Sequence, residues 1–445
     1  MAGLTMMSTK PRVRRKAGKR RQYTLDAKRI LYLVLSSFGL IWACGSAWIL
    51  LSSSSSNTKP GGRILDRGMT GNGLLQEGSG KVQPFESPLL IFTCHRAEYL
   101  TKALNAVFEN LPRTCRMGCP IVVSQDGTAP DVAKVIRQFQ QKFQSEGIPL
   151  IHMQKPGQAR PRTGLRGRPD PYALIAEHFG WALERLFSSK VYARKDYPAP
   201  QRVIILEEDL LIAPDFFQYF EATAPLLDQD PDLFAVSAFN DNGQDGADDK
   251  ARLLRSDFFP GLGWMMNRQL WDTELSSKWP PHYWDDWLRE PAQRKERHVI
   301  RPEVSRTFHF GVKGGASSNQ FGDNLSSVHL NHDVIDWKSK DVSYLEEDNY
   351  DREYLKLVAS AKVANNVKEA LQMTANVRIE YNSFREFQVY ARKLKLMDDE
   401  KAGIPRTAYK GIVETRPHID KGDHHFLFLT PPMKKLERLF SHVKR

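Results

Sequence analysis

Cysteine is scarce in this chain of 445 residues: there are 4. So few thiols cannot staple a fold of this length, and a packed apolar core has to hold it. No Cys/His spacing matches a zinc site. A G-x-x-x-x-G-K-[ST] phosphate loop is absent, and no G-x-G-x-x-G follows the first strand-like run. Internal repeats are absent as well. Basic charge is plentiful, with a formal net charge of +12, but residues 1–29 alone carry ten Lys or Arg against one acid, Asp26. The rest is close to neutral. The folded part therefore lacks the electrostatic footprint of a nucleic-acid binder, and nucleic acid is not an expected partner.

A long uncharged run follows the basic tail. "ILYLVLSSFGLIWACGSAWILL", residues 30–51, has 22 residues without a charge. As a helix it would span about 33 Å, enough for a bilayer core. A cleaved signal peptide would have a shorter apolar stretch and a small-residue cleavage site. Flanking positive charge places the N-terminus in the cytosol and the remainder in a lumen, which is a type II, membrane-anchored arrangement. Residues 52–87 are rich in Ser and Gly and poor in aromatics, and they read as a flexible stem. Cys44 lies in the apolar run, Cys115 and Cys119 are near enough to close a small disulfide loop, and Cys94 is then left odd. Asn324-Leu325-Ser326 is a single glycosylation sequon.

From residue 88 short apolar runs alternate with amphipathic ones. "LLIFTC" (89–94), "PIVVSQD" (120–126), "PLIHMQ" (149–154) and "RVIILEED" (202–209) read as strands. "AEYLTKALNAVFEN", "PDVAKVIRQFQQKF" and "PYALIAEHFGWALERLF" read as the helices between them. This alternation predicts an α/β fold with a mostly parallel, Rossmann-like central sheet and helices on both faces over residues 88–330. Residues 331–445 read as a small C-terminal α+β domain.

The run "VIILEEDLLIAPDFF" sets Glu207, Glu208 and Asp209 side by side where a strand ends. Such acids can simply cap the next helix. Arg96 and Asp126 would also lie past the carboxyl ends of strands, the edge where open α/β sheets bind ligands. Without a P-loop, a nucleotide's phosphates would need a divalent cation on these carboxylates, and hard oxygen donors suit Mn²⁺ or Mg²⁺. Further on, "WPPHYWDDWLREP" places Asp285 and Asp286 between Trp284 and Trp287. This is either aromatic core with an acidic helix cap, or a sugar platform beside a base. "FGVKGGASSNQFG" (310–322) reads as a lid or as an ordinary surface loop.

The runs "ILEEDLLIAPDFFQYF", "SAFNDNG", "RSDFFPGLGWM", "KWPPHYWDDWLREP", "RPEVSRTFHFG" and "GIPRTAYKGIV" together resemble the α-1,3-mannosyl-glycoprotein 2-β-N-acetylglucosaminyltransferase family over roughly residues 88–420. The resemblance implies a GT-A nucleotide-diphosphosugar transferase fold in a Golgi membrane enzyme. It implies inverting transfer of N-acetylglucosamine from UDP-N-acetylglucosamine to the α-1,3-linked mannose of a five-mannose, high-mannose N-glycan, with Mn²⁺ as cofactor. By position it makes Asp209 the metal ligand and Asp285 the catalytic base. Glu207 and Glu208 then face sugar and nucleotide. Arg96, Asp126, His178 and Ser317 match donor-binding positions, with Asp126 suited to the uracil N–H; Leu262 and Trp284 fall among the substrate-binding positions.

The sequence departs from the family in places. Glu208 stands where an Asp is usual, and Gly127 where the animal enzymes have a cysteine. The lid is one residue longer, which leaves Ser317 and Ser318 both eligible. The loop 155–171, with Arg160, Arg162, Arg166 and Arg168, is also longer; it could touch diphosphate or acceptor, or be a solvated loop. Two alternatives compete. One is a protein O-linked-mannose 2-β-N-acetylglucosaminyltransferase, which normally carries a further domain where this chain has a short stem. The other is a catalytically inactive glycan-binding relative, against which the presence of both Asp209 and Asp285 argues.

Overall fold

The computed structural model describes residues 87–112, 120–157, 170–188, 200–243, 249–311, 322–416 and 425–443. The apolar run 30–51, Cys115, Cys119, Ser317, Ser318 and the four arginines of the 155–171 loop lie outside them. Among the described residues no helix is long and apolar enough to cross a membrane.

Strands β1 (Leu89–Thr93), β2 (Ile121–Asp126), β3 (Leu150–Lys155) and β4 (Arg202–Glu207) form one half of an 8-stranded sheet. The short β5 (Leu210–Ile212) stands outside it. The other half is β6 (Leu233–Ser237), β7 (Leu253–Ser256), β8 (Trp264–Asn267) and β9 (His298–Pro302), and the order is β3-β2-β1-β4-β8-β6-β9-β7. Pairing is parallel from β3 to β4, and β6 pairs parallel with β9. Only β8 and β7 run against the other six strands. The sheet is thus mostly parallel.

Alternation along each strand builds two apolar layers. Leu89, Ile91, Ile121, Val123, Ile204 and Leu206 face helices α1 (Ala97–Asn110) and α2 (Pro130–Gln144). Leu90, Phe92, Val122, Val203 and Ile205 face helix α3 (Pro171–Phe187) and an aromatic group that includes Trp264 and Trp284. Helix α3 starts where Asp170 accepts from the amides of Tyr172 and Ala173, with Pro171 at the first helical turn. Burial on both faces explains why the strands read as unbroken apolar runs.

Helix α4 (Phe216–Gln229) follows β5, and α5 (Trp284–Arg289) precedes β9. After β10 (Thr307–His309) the chain enters its C-terminal part through helix α6 (Glu347–Ser360). There β11 (Lys362–Val363), β12 (Val377–Glu380), β15 (Val413–Thr415) and β16 (Leu427–Thr430) form a 4-stranded sheet in the order β11-β12-β16-β15. Helix α7 (Phe384–Lys393) packs through Phe387 and Ala391 into a small core of its own with Ile379 and Leu429. A hairpin of β13 (Glu400–Lys401) and β14 (Ile404–Pro405) projects from it. Tyr350, Tyr354, Tyr409 and Phe428 belong instead to the larger core of the main sheet, so apolar packing is continuous between the two sheets.

Candidate active site

The parallel order β3-β2-β1-β4 brings the carboxyl ends of four strands to one edge. Arg96 follows β1, Asp126 ends β2, Lys155 ends β3 and Glu207 ends β4. Arg96 is the hub. Its Nε donates to Glu208 Oε1 at 2.6 Å, and its Nη2 donates to Asp209 Oδ2 at 2.8 Å. The Thr93 hydroxyl and the Cys94 amide, the latter at 3.3 Å, donate to the other Glu208 oxygen. Glu208 is therefore a buried, fully engaged carboxylate that ties β4 to the end of β1. Its extra methylene relative to Asp is taken up by this reach.

Glu207 differs. Among the described residues no cation pairs with it. Burial first, then the charge of Asp209, push its carboxyl up to about 8, against the pull of Arg96; Asp285 also adds to the rise. Burial acts the same way on Asp209, but His309 and Arg96 outweigh it and hold that carboxyl below the ordinary range. His309 Nε2 lies 3.6 Å from Asp209 Oδ2. It arrives there because β10 pairs antiparallel with β5, with His309 opposite Leu210. The sequence run after the triplet carries no sign of this pairing. Three residues, Leu210–Ile212, are too few for a strand period to show, and His309 was missed with them.

Gly311 closes over the same carboxylate. A Cβ there would sit 2.5 Å from Asp209 Oδ2 and 2.8 Å from its Cβ, so only glycine lets the backbone pass. Asp209 is buried and its Oδ2 accepts from Arg96; its carboxylate oxygens, under a side-chain-free backbone, are donors of the kind that suit a hard divalent cation. A second acid and histidine group, Glu347, Asp351 and His442, converges in the C-terminal part. Lys410 already reaches both of its acids, and the Tyr409 hydroxyl donates to Asp351.

On the β2 side, Lys155 Nζ bridges Asp126 Oδ1 at 3.1 Å and Glu177 Oε1 at 3.3 Å. His178 is buried on α3, shares a 2.8 Å hydrogen bond with Ser124 Oγ, and meets Phe92 edge-on. Burial, with Lys155 adding to it, pushes the imidazole down to about 3, so it is neutral. Lys155 is a site residue that the sequence did not single out; its register opposite Asp126 becomes visible only once β2 and β3 are paired.

Leu262 lies in a turn where Gly261, Leu262 and Gly263 all have positive φ, +70°, +49° and +94°. Three hydrogen bonds hold the strained turn: Ser237 Oγ, Thr307 Oγ1 and the Ala238 amide donate to the successive carbonyls at 3.0, 2.6 and 2.7 Å. A Cβ on Gly263 would meet Thr307 at 2.6 Å. The turn leads into β8, whose Trp264 pairs with Ile205, so it flanks the Glu207 end of β4.

Asp285 and Asp286 open α5. Both accept from Arg289 Nη1, at 2.9 and 2.7 Å. Asp286 also takes Lys401 Nζ at 3.1 Å from the β13–β14 hairpin. Burial raises the Asp286 carboxyl, but the two cations outweigh it and hold it low. Asp285 has no second cation among the described residues, and its charge adds to the rise at Glu207. Of the pair, Asp285 is the better placed to accept a proton.

Of the two readings of the 279–291 run, aromatic core or sugar platform, Trp284 takes the core one. Its ring is buried, stacked on Phe179 at 4.3 Å and near-parallel to Trp264 and Trp279 at 5.9 and 6.3 Å. The ring serves the core and anchors α5. Tyr283, one residue earlier, is the exposed aromatic.

A curated relative from Arabidopsis thaliana, alpha-1,3-mannosyl-glycoprotein 2-beta-N-acetylglucosaminyltransferase, is 40% identical over 333 residues, 74% of this chain and 71% of that protein. Partial structural likenesses include a mannosyltransferase from Pyrobaculum calidifontis in complex with GDP-Man and Mn²⁺, at 16% identity and TM-score 0.26, covering 42% of this chain and 46% of that one. Another is GalNAc-T7 with UDP, GalNAc and Mn²⁺, at 11% identity and TM-score 0.32, covering 54% and 48%. The GNT-I family model matches residues 70–436, and the chain belongs to the GNT-I family.

Proposed function

We propose that this chain is an inverting glycosyltransferase that moves N-acetylglucosamine from UDP-N-acetylglucosamine, in β-1,2 linkage, to the α-1,3-linked mannose of a five-mannose N-glycan. The reading is supported by Glu207, Glu208 and Asp209 at the end of β4, with the charge of Asp285 reaching Glu207, in a member of the GNT-I family. Inversion needs one carboxylate to deprotonate the attacking hydroxyl and no second, nucleophilic one. Asp285 takes that proton while UDP departs from the opposite face of the sugar.

Asp126 accepts from the uracil ring at the β2 end. Arg96 presents a guanidinium to the diphosphate side while fixing Glu208 and Asp209. His178, neutral and bonded to Ser124, holds β2 two residues before Asp126. Leu262 supplies the wall beside Glu207, and Ser317 of the 310–322 loop is assigned a donor contact. Asp209 would hold a Mn²⁺ ion, which would supply charge neutralisation for the leaving diphosphate. The basic tail and residues 30–51 anchor the protein as a single-pass type II protein of the Golgi membrane, with the catalytic part in the lumen.

The test is an assay of the full chain with UDP-N-acetylglucosamine and a five-mannose N-glycan, with Mn²⁺ and with chelator. Addition of one N-acetylglucosamine, lost with chelator, is expected. Transfer only to an O-mannosyl peptide would replace the acceptor assignment. UDP binding without transfer to either would mark an inactive glycan-binding relative.

A further inference from the structure

Beside Asp285 stands a second feature that the donor chemistry does not use. Tyr283 is 50% exposed, and its backbone is left-handed, at φ +46° and ψ +50°. A bulky residue rarely accepts that conformation. Its ring lies 4.5 Å from that of Tyr172, tilted by 34°. The two tyrosines come from the first turn of α3 and the residue before α5. A 3.0 Å contact between His282 Nδ1 and Asp170 Oδ2 joins the same two segments again. Trp284, locked in the aromatic core, and the Trp287 amide, donating to the Tyr283 carbonyl at 2.9 Å, fix where Tyr283 sits. The surroundings therefore over-determine a strained backbone whose effect is to hold an aromatic ring out in solvent, two residues from the base.

We propose that Tyr283 and Tyr172 form the acceptor subsite, a stacking wall for the pyranose ring whose hydroxyl Asp285 deprotonates. This rests on the functional reading above. If Asp285 takes a proton from a sugar hydroxyl, that sugar ring has to lie within a few ångströms of the Asp285 carboxylate. Tyr283 is two residues before Asp285 and its ring meets Tyr172, where the charge of Asp285 also acts on the hydroxyl. A sugar offers an apolar face of C–H groups and a rim of hydroxyls. An aromatic wall with two phenol hydroxyls and an adjacent carboxylate matches both. The strained backbone is the kind of feature that clusters at binding sites because the fold compensates for it elsewhere.

The experiment compares the full chain with Tyr283→Gly, Tyr283→Phe and Tyr172→Ala, measuring KM for the five-mannose N-glycan, KM for UDP-N-acetylglucosamine, and Tm. Tyr283→Gly removes the ring and relieves the left-handed strain together. Its acceptor KM is expected to rise about three- to tenfold, from the worth of one aromatic contact, while Tm holds or rises and donor KM stays within twofold. Tyr172→Ala should also raise acceptor KM, and Tyr283→Phe should keep it near the unmodified value. A purely structural role for Tyr283 predicts a change in Tm without a selective acceptor effect. Acceptor KM unchanged in both ring-deleting variants, or donor KM rising in parallel, would overturn the proposal. If the unmodified chain transfers nothing, the functional reading has failed, and saturation-transfer NMR with the same glycan tests the wall separately. Contact to the glycan that is lost in Tyr283→Gly supports the wall; contact that persists there removes it.

Discussion

Replacing His178 with Gln probes the β2 side of the sheet edge through the pH dependence of stability. His178 is 5% exposed, and burial pushes it down to about 3 from an ordinary 6.5. The unfolded chain therefore binds a proton between those values that the folded chain refuses. With the folded pKa below the unfolded one, this contribution is fully present above about pH 6.5 and is lost as pH falls toward 3. The slope in that window is about 1.4 kcal/mol per pH unit. Between pH 7 and pH 5 the loss comes to about 2 kcal/mol. Gln keeps a polar group for Ser124 but has no proton to gain. Urea unfolding of the chain and of His178→Gln at both pH values should show their stability difference moving by about 2 kcal/mol against the unmodified chain at pH 5. A difference that does not move with pH would mean that His178 titrates alike in both states. The dry contact with Phe92 and Ser124 would then not govern its charge.

Two further substitutions separate neighbours. Asp285→Asn should lower kcat by about a hundred- to ten-thousandfold, the range for a general base, with UDP affinity within twofold; Asp286→Asn should cost under about 1 kcal/mol through the Lys401 contact and keep most of kcat. Rate measurements showing the opposite order would exchange their roles. Gly311→Ala places a methyl 2.5 Å from Asp209 Oδ2, so the carboxylate must turn; Mn²⁺ affinity, read by electron paramagnetic resonance titration with UDP present, should fall about ten- to a hundredfold, and an unmoved affinity would take Asp209 out of the metal site.

Much of the sheet was legible because period and burial agree there. Helices 97–110 and 171–187 begin and end where their sequence pattern does, and the strand ends of β1, β2 and β4 fall within two residues of the expected places. Those ends located Arg96, Asp126 and the acidic triplet. What escaped is carried by contacts rather than by period. β5 has three residues, and it brings His309 to Asp209 only through pairing with a strand about ninety-five residues later in the chain. Lys155 is an ordinary strand-end lysine until β3 is set beside β2. Trp284 and Tyr283 are adjacent aromatics with opposite fates, and the left-handed Tyr283 backbone decides which one turns inward. No local preference of the sequence indicates that twist.

The strained positions have a common logic. Leu262 and Tyr283 are both bulky residues at positive φ, and each lies at one flank of the strand-end acids. Each is braced by a rigid partner. The 261–263 turn is pinned by three carbonyl acceptors, and α5 is anchored by Trp284 within the Phe179, Trp264 and Trp279 stack. Arg289 completes the brace, donating to the Phe259 carbonyl at 2.9 Å while holding Asp285 and Asp286. A carboxylate that must face a bound sugar at a fixed angle cannot sit on a freely moving loop, because misplacement of about 1 Å can cost about a hundredfold in rate. In this fold the core supplies that rigidity from behind, through the same aromatic group that covers one face of the sheet. The acids of β4 and Asp285 of α5, remote in sequence, are therefore referenced to one packed layer, in which Trp264 lies beside Trp284.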